Sequence, residues 1–145
     1  MTKHPLLMSF AVLLFACGNS PETPTESVEK DASAQTLLAG SFVAKAHPGT
    51  GGAVIEQATT GELRLLFDAK FKTDNGPKLS VYLSKASSSG SSGHLEDALV
   101  LGRLKSASGE QAYGIAAGTD LSLYRSAIVW CDDFSVLFTI ADLKN

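Results

Sequence analysis

The sequence is poor in the residues on which metal and redox cofactors usually depend. It holds two cysteines, two methionines and three histidines in 145 residues. An iron–sulfur cluster needs about four thiolates, and a dithiol oxidoreductase needs a Cys-x-x-Cys motif, which is absent. A blue-copper site needs two histidines and one cysteine, but no histidine follows Cys131. These redox classes are therefore excluded, and no metal site is predicted.

Other catalytic signatures are missing as well. The sequence has no Gly-x-Ser-x-Gly, no Walker loop and no Rossmann fingerprint, so hydrolase and nucleotide-binding functions have no support. The formal net charge is −3 at pH 7, and much of the acidity lies in a short stretch near the start. The near-neutral remainder argues against nucleic acid as a partner.

The first residues are typical of an export signal. A basic start precedes an apolar run at 6–16, which is too short to anchor a helix across a bilayer. The run ends in Leu-Phe-Ala-Cys-Gly at 14–18, which resembles a bacterial lipobox. We therefore predict a lipoprotein signal peptide over residues 1–16 and a lipidated Cys17 that carries acyl chains such as palmitate. The alternative is an ordinary signal peptide cleaved nearby, which leaves Cys17 as a thiol.

Lipidation would hold the protein in the cell envelope. Two or three acyl chains, at about 0.8 kcal/mol per buried methylene, bind a protein to a membrane almost permanently. In a Gram-negative cell, Gly18 after the cysteine favours the periplasmic side of the outer membrane. Residues 17–36 are rich in Pro, Ser, Thr and Glu and lack an apolar period. We predict that they form a disordered tether.

Residues 37–145 read as a β domain. Leu63, Leu65 and Phe67 alternate with outward positions, and turn signals recur every eight to twelve residues. A short helical turn is predicted near residue 121, capped by Thr119 or Asp120. The pattern predicts an all-β fold, a β-sandwich-like domain or small barrel of about eight short antiparallel strands. The predicted strands lie at 40–47, 53–58, 62–71, 78–83, 99–105, 111–115, 127–131 and 134–141.

The last two predicted strands form a hairpin. In the second of them, Phe134, Val136, Phe138 and Ile140 recur at every other position, which predicts that they share one face of the sheet. Trp130 is the only tryptophan of the chain. It is expected in the core together with Phe134 and Phe138.

Cys131 allows two interpretations. Cysteine is among the most buried residue types, so a structural thiol beside Trp130 is the simpler one. The adjacent pair Asp132-Asp133 also disfavours a thiolate nucleophile if its carboxylates lie close. Against this, a leftover cysteine in an exported protein risks stray disulfides and calls for an explanation. His47, before a glycine-rich turn, and His94, in a Ser/Gly-rich loop, are each more typical of surface histidines than of ligands.

Several segments, in order, resemble the electron-transfer DM-thirteen domain. The resemblance covers residues 38–143. Its most specific parts are Asn-Gly-Pro-Lys-Leu-Ser-Val-Tyr-Leu-Ser at 75–84 and Val-Trp-Cys-Asp-Asp-Phe-Ser-Val-Leu-Phe at 129–138. Shorter matches lie at 40–42, 47, 51–52, 66–67, 71, 101–105, 109–115 and 120–124. The family tends to have proline after the isoleucine at 115, where this chain has Ala116.

The resemblance implies a β-sandwich-like domain whose cysteine, here Cys131, takes part in electron transfer. The thiol would act bare or would hold a prosthetic group such as haem. Because no methionine remains after the signal peptide, a haem would need Cys131 together with His47, or a single axial ligand. The cofactor-binding residues implied are therefore Cys131 and His47.

We thus predict a lipid-anchored redox accessory domain of the cell envelope, centred on Cys131 with His47 as a second participant. It would act with a membrane redox partner rather than as a stand-alone enzyme, and as a monomer on its tether. The competing hypothesis is a non-catalytic binding or adhesion module. In that case, Cys131 is merely a core residue.

Overall fold

The predicted all-β fold is confirmed. The computed structural model describes residues 31–88, 90, 95 and 97–145. Within that part of the chain no helix is long and apolar enough to cross a bilayer. The strands are β1 (Gln35–Ala44), β2 (Gly49–Thr50), β3 (Gly52–Gln57), β4 (Leu63–Phe67), β5 (Lys72–Thr73), β6 (Leu79–Ser84), β7 (Leu99–Arg103), β8 (Gln111–Ile115), β9 (Ser126–Cys131) and β10 (Val136–Asp142).

Eight of these strands form one antiparallel sheet in the order β7-β6-β9-β10-β1-β3-β4-β8, and β2 pairs with β5. The long strand β1 serves both halves of the sheet. Residues 35–41 pair with β3, whereas Phe42–Ala44 pair with β10. The two edge strands, β7 and β8, come close to each other, so the sheet is nearly closed.

One hydrophobic core fills the space inside the curved sheet. The inner positions of β4, Leu65 and Phe67, are buried, while Arg64 and Leu66 point outward and are only half-buried. Phe42, Phe67 and Phe71 pack ring against ring, with centroids 4.6 to 4.9 Å apart. Burying each such ring contributes about 1.5–3 kcal/mol. These contacts join the two halves of the sheet.

The observed strands differ from the predicted ones most at β1 and β4. β1 begins at Gln35, five residues before the predicted strand at 40–47, and it ends at Ala44. The strand predicted at 62–71 ends at Phe67, because Asp68 turns the chain: its carboxylate accepts from the N–H of Lys70, and its carbonyl accepts from the N–H of Phe71. The predicted helical turn is confirmed as a 3₁₀ turn, Leu121–Leu123, whose N-cap Asp120 accepts from the N–H of Ser122.

The final hairpin forms, but the shared face predicted for its second strand is wrong. A β-bulge interrupts the register between Leu137 and Thr139, and an inserted residue shifts the alternation of side chains. Phe138 therefore packs in the core, whereas Ile140 packs on the opposite face. Phe134 lies in the turn and is 70% exposed, so its predicted place in the core is also wrong.

A second, smaller cluster covers part of the outer face of the sheet, and we call it the outer cluster. It contains Ile128, Trp130, Leu137 and Ile140, with Tyr82 and Leu95 packed against it. The predicted burial of Trp130 is thereby confirmed, since it is 5% exposed. Side chains on one face of β9 thus pack in the main core, and those on the other face pack in the outer cluster.

Candidate functional site

Cys131 lies at one end of the sheet. It is the last residue of β9, and it pairs with the first residue of β6, Leu79, and with the first residue of β10, Val136. Cross-strand partners project to the same face of a sheet. The thiol therefore points into the core at the point where both strand pairings end. We call Cys131 and its two partners, Leu79 and Val136, the end pair.

The thiol itself is fully enclosed. Cys131 has 0% exposure and belongs to the main core cluster. Among the described residues it is the one cysteine, and it forms no disulfide. No described hydrogen bond involves its sulfur. In the folded state as it stands, Cys131 has the surroundings of a packed apolar side chain rather than those of an accessible nucleophile.

A cleft opens at the same end of the sheet, and we call it the hairpin cleft. Its volume is about 580 Å³. Val136, the cross-strand partner of Cys131, contributes to its wall, and Leu79, the other partner, lines a neighbouring recess of about 150 Å³. Both cross-strand partners of Cys131 therefore reach the surface at this end of the sheet. The lining residues of the cleft are His47, Asn75, Gly76, Pro77, Phe134, Val136 and Phe138.

The turn between β9 and β10 contains a residue in a left-handed conformation and an exposed aromatic side chain. Ser135 has a φ of 54°, a left-handed conformation that a residue other than glycine seldom adopts. Such a residue costs about 1–3 kcal/mol and persists only where the surrounding structure imposes it. The preceding Phe134 projects its ring toward the cleft and stays 70% exposed. Exposed aromatic side chains beside a concave surface are common at interaction sites.

His47 stands at the rim of the cleft and contacts Phe138 and Asp74. Its ring stacks on that of Phe138, with centroids 3.7 Å apart and planes 24° from parallel. Its Nδ1 lies 3.0 Å from Oδ2 of Asp74. The two side chains are 35% and 53% exposed, so this contact adds little stability. Phe138 belongs to the cluster that contains Cys131, but no described contact joins His47 to the thiol.

Asp132, the first residue of the turn after β9, turns its side chain to the outer face of the sheet, away from the thiol. Its Oδ2 accepts from the Ser80 hydroxyl at 2.7 Å, and its Oδ1 accepts from the Tyr82 hydroxyl at 2.8 Å. Burial alone would raise the pKa of Asp132, but these two hydrogen bonds and the charges of Lys78 and Arg103 outweigh it, so the pKa is lowered. The carboxylate belongs to the outer face and not to the surroundings of Cys131.

The model of the family described as Electron transfer DM13 matches residues 41–143. The chain belongs to this family. The resemblance noted in the sequence is thus confirmed, and it supports a redox or electron-transfer role for the domain. No curated protein and no solved structure matches the chain significantly.

Within this DM13 domain, the residues do not fit a haem held by Cys131. An axial ligand must present its donor atom to open space, whereas the sulfur of Cys131 has no exposed surface. No described contact joins His47, the other implied ligand, to Cys131, so the two side chains do not form a ligand pair. Among the described residues, no group of three or more His, Cys, Asp and Glu side chains could hold a metal ion.

Sequence reasoning missed the polar partners of Asp132. Ser80 and Tyr82 occupy the outward positions of the predicted strand at 78–83, so the alternation of that strand already marked them as neighbours on one face. The missing information was that β6 lies next to β9, which is a pairing between distant segments. Cys17 and His94 lie outside the described residues.

Proposed function

We propose that this DM13 protein is a lipid-anchored electron-transfer domain of the cell envelope in which Cys131 is the redox-active residue. The observation that carries the proposal is the position of Cys131 at the end of the sheet, where its cross-strand partner Val136 lines the hairpin cleft. Membership of the family supports the electron-transfer role. The bare thiol is the form that the geometry favours, because the site does not fit a haem.

Access to Cys131 requires a local opening at the end of the sheet. Terminal parts of strands open at a lower free energy than the core does. The segments that would move are the strained turn around Ser135 and the chain before Leu79, which contribute the outermost contacts of the end pair. A partner that binds in the hairpin cleft, against the exposed Phe134, would stabilise the open form.

The chemistry of a single thiol is exchange with a disulfide of a partner protein. The Cys131 thiolate attacks one sulfur of that disulfide, the old S–S bond breaks, and the released sulfur leaves as a thiolate that takes up a proton. One thiol of a dithiol donor then attacks the Cys131 sulfur of this mixed disulfide, which breaks that S–S bond, releases the fully reduced partner and links Cys131 to the donor. The second thiol of the donor attacks the donor sulfur of the new bond, which closes the donor's own disulfide and releases Cys131 as a thiolate that takes up a proton. The net result is the transfer of two electrons and two protons from a dithiol to a disulfide.

Lipidation of Cys17 would keep the domain near a membrane redox partner. The domain would act as a monomer on a tether that ends where β1 begins, at Gln35. We expect Cys17→Ser to move the protein from the membrane fraction to the soluble fraction and to abolish incorporation of labelled palmitate. Incorporation that is unchanged in the variant would rule out this anchor.

A second candidate function is the non-catalytic binding module, and the complete burial of Cys131 favours it. In that case the hairpin cleft binds a partner, and the cysteine only fills the core. The two functions differ in how the thiol becomes reactive. A redox thiol becomes reactive by local opening, and a structural one only when the whole domain unfolds.

The test is the rate at which a thiol reagent labels Cys131 in the full chain as urea is added below the unfolding transition. Local opening exposes little surface, so its rate changes little with urea, whereas global unfolding follows the full m-value. A labelling rate that is nearly independent of urea, and that rises in Phe134→Ala, supports the redox function. A rate that follows the full m-value from zero urea onward overturns it and leaves the binding module.

A further inference from the structure

Ser80, Tyr82 and Asp132 form a hydrogen-bonded group on the outer face of the sheet, which we call the tyrosine–carboxylate group. Both oxygens of Asp132 accept a hydrogen bond, one from Tyr82 and one from Ser80. The backbone N–H of Asp132 donates to the carbonyl of Lys78 at 2.8 Å. Two hydrogen bonds to the carboxylate and one from the backbone therefore hold Asp132 against β6 and Lys78, the residue before it. All three side chains lie in the two segments that carry the family resemblance.

Tyr82 differs from the other two tyrosines of the chain in the group that its hydroxyl contacts. The Tyr113 hydroxyl lies 2.6 Å from Oε1 of Gln111, a neutral amide that cannot accept a proton at ordinary pH. The Tyr124 hydroxyl has no carboxylate partner among the described residues. Among the described contacts of the three tyrosines, only that of Tyr82 is a hydrogen bond donated to a carboxylate, at 2.8 Å.

The ionisation states at neutral pH suit a transfer of the proton from Tyr82 to Asp132. Burial, and then the hydrogen bond to Asp132, raise the pKa of Tyr82 to about 12, so the phenol keeps its proton. Although burial opposes it, the hydrogen bonds from Ser80 and Tyr82 and the nearby Lys78 and Arg103 lower the pKa of Asp132. A protonated phenol therefore faces an ionised carboxylate, and loss of an electron would make the phenol a strong acid.

We propose that Tyr82 is a redox-active tyrosine whose proton passes to Asp132 when the phenol is oxidised by one electron. The electron leaves to a one-electron oxidant, a high-potential metal centre of a partner protein. The O–H bond of Tyr82 breaks, and the proton binds Oδ1 of Asp132, which leaves a neutral tyrosyl radical beside a carboxylic acid. Return of one electron and the same proton restores the phenol. This inference rests on the electron-transfer role of the domain but not on Cys131.

Trp130 is placed to exchange electrons with Tyr82. It lies opposite Ser80 on the neighbouring strand and shares the outer face with Tyr82, which packs against the outer cluster. Diagonal neighbours on adjacent strands lie within reach of each other's aromatic rings. Because Trp130 is the only tryptophan of the chain, light that only tryptophan absorbs creates the oxidised indole at one known position.

The experiment is laser flash photolysis of the full chain carrying Cys131→Ala, with nitrous oxide to capture the ejected electron and excess tert-butanol to remove the hydroxyl radical that this capture forms. We expect the absorption of the tryptophan radical to decay while that of a tyrosyl radical rises, and Tyr82→Phe to abolish the rise. Asp132→Asn keeps an oxygen that can accept the hydrogen bond but removes the base, so it should slow the rise about 100-fold. Tyr113→Phe and Tyr124→Phe are the matched controls and should leave the rise unchanged.

Two results would overturn the proposal. One is a tyrosyl signal that persists in Tyr82→Phe. The other is a rise that Asp132→Asn and deuterated solvent both leave unchanged, which makes the tyrosine–carboxylate group purely structural. If Asp132→Asn fails to fold, Tyr82→Phe and the solvent isotope effect decide alone. Thiol labelling of Cys131 is a separate measurement, so failure of the thiol mechanism and failure of this proposal are distinguishable.

Discussion

Replacing Cys131 tests how completely the structure encloses its thiol. The side chain is fully buried in the apolar core, and no described polar group bonds to its sulfur. Cys131→Ala removes one buried sulfur, which is comparable to removing a methylene and leaving a small cavity. It should lower the free energy of unfolding by about 1–2 kcal/mol. Cys131→Ser fills part of that space but buries a hydroxyl, which adds about 1–3 kcal/mol where no partner is present.

The assay is urea unfolding followed by the fluorescence of Trp130, which is unique and 5% exposed in the folded state. Ala127→Ser is a positive control, because Ala127 is fully buried on the same face of β9. Ala116→Ser is a negative control, because Ala116 is exposed and its new hydroxyl stays in water. We expect the urea midpoint of unfolding to be highest for wild type, lower for Cys131→Ala and lowest for Cys131→Ser.

A Cys131→Ser variant that is as stable as Cys131→Ala would contradict the reasoning. It would mean that water or a polar group reaches position 131 in the resting fold. The burial argument, and with it the need for a local opening before thiol exchange, would then be wrong. The comparison also shows that Cys131→Ala is the better redox-inactive variant, since it disturbs the core less.

Two further predictions concern Asp132 and the glycine turns. Because the folded-state pKa of Asp132 lies below 3.8, its hydrogen bonds stabilise the fold above that pH and lose this effect as the pH falls further. The free energy of unfolding of Asp132→Asn should therefore depend less on pH in this acid range than that of wild type; an identical acid profile would contradict the assignment. Gly51 and Gly118 both have positive φ, at 88° and 81°, but a Cβ would overlap the backbone of Phe71 only at Gly51. Gly51→Ala should therefore be less stable than Gly118→Ala by about 1–3 kcal/mol in urea unfolding, and equal losses would show that Phe71 can move aside.

Local patterns were sufficient for most of the strands. The alternation of Leu63, Leu65 and Phe67 predicted the inner face of β4, and Asp120 predicted the cap of the 3₁₀ turn. Such features depend on residues that are close in the sequence, where the period of two or the capping side chain is visible directly. The family resemblance added the expectation of an electron-transfer domain and drew attention to Cys131.

The same patterns failed where one inserted residue changed the register. The period of two in the last strand was continued through Phe138 to Ile140, but the bulge opposite β9 turned the two side chains to different faces. A bulge is favoured by the pairing of two strands and leaves no marked signal in either one alone. Phe134 was assigned to the core because the same period was extended to residue 134, whereas β10 begins at Val136 and Phe134 belongs to the turn.

By itself, the sequence determined the all-β class, the positions of most strands and the choice of Cys131 as the residue to explain. Only the tertiary structure decided that Cys131 faces inward at the end of the sheet while Asp132 faces outward to Ser80 and Tyr82. Asp132 lies in the turn beyond the strand. The alternation along β9 predicts that Trp130 and Cys131 face opposite sides, but it does not say which side is inside. That depends on which strands pair and on how the sheet curves, and both arise from contacts between segments some 50 residues apart.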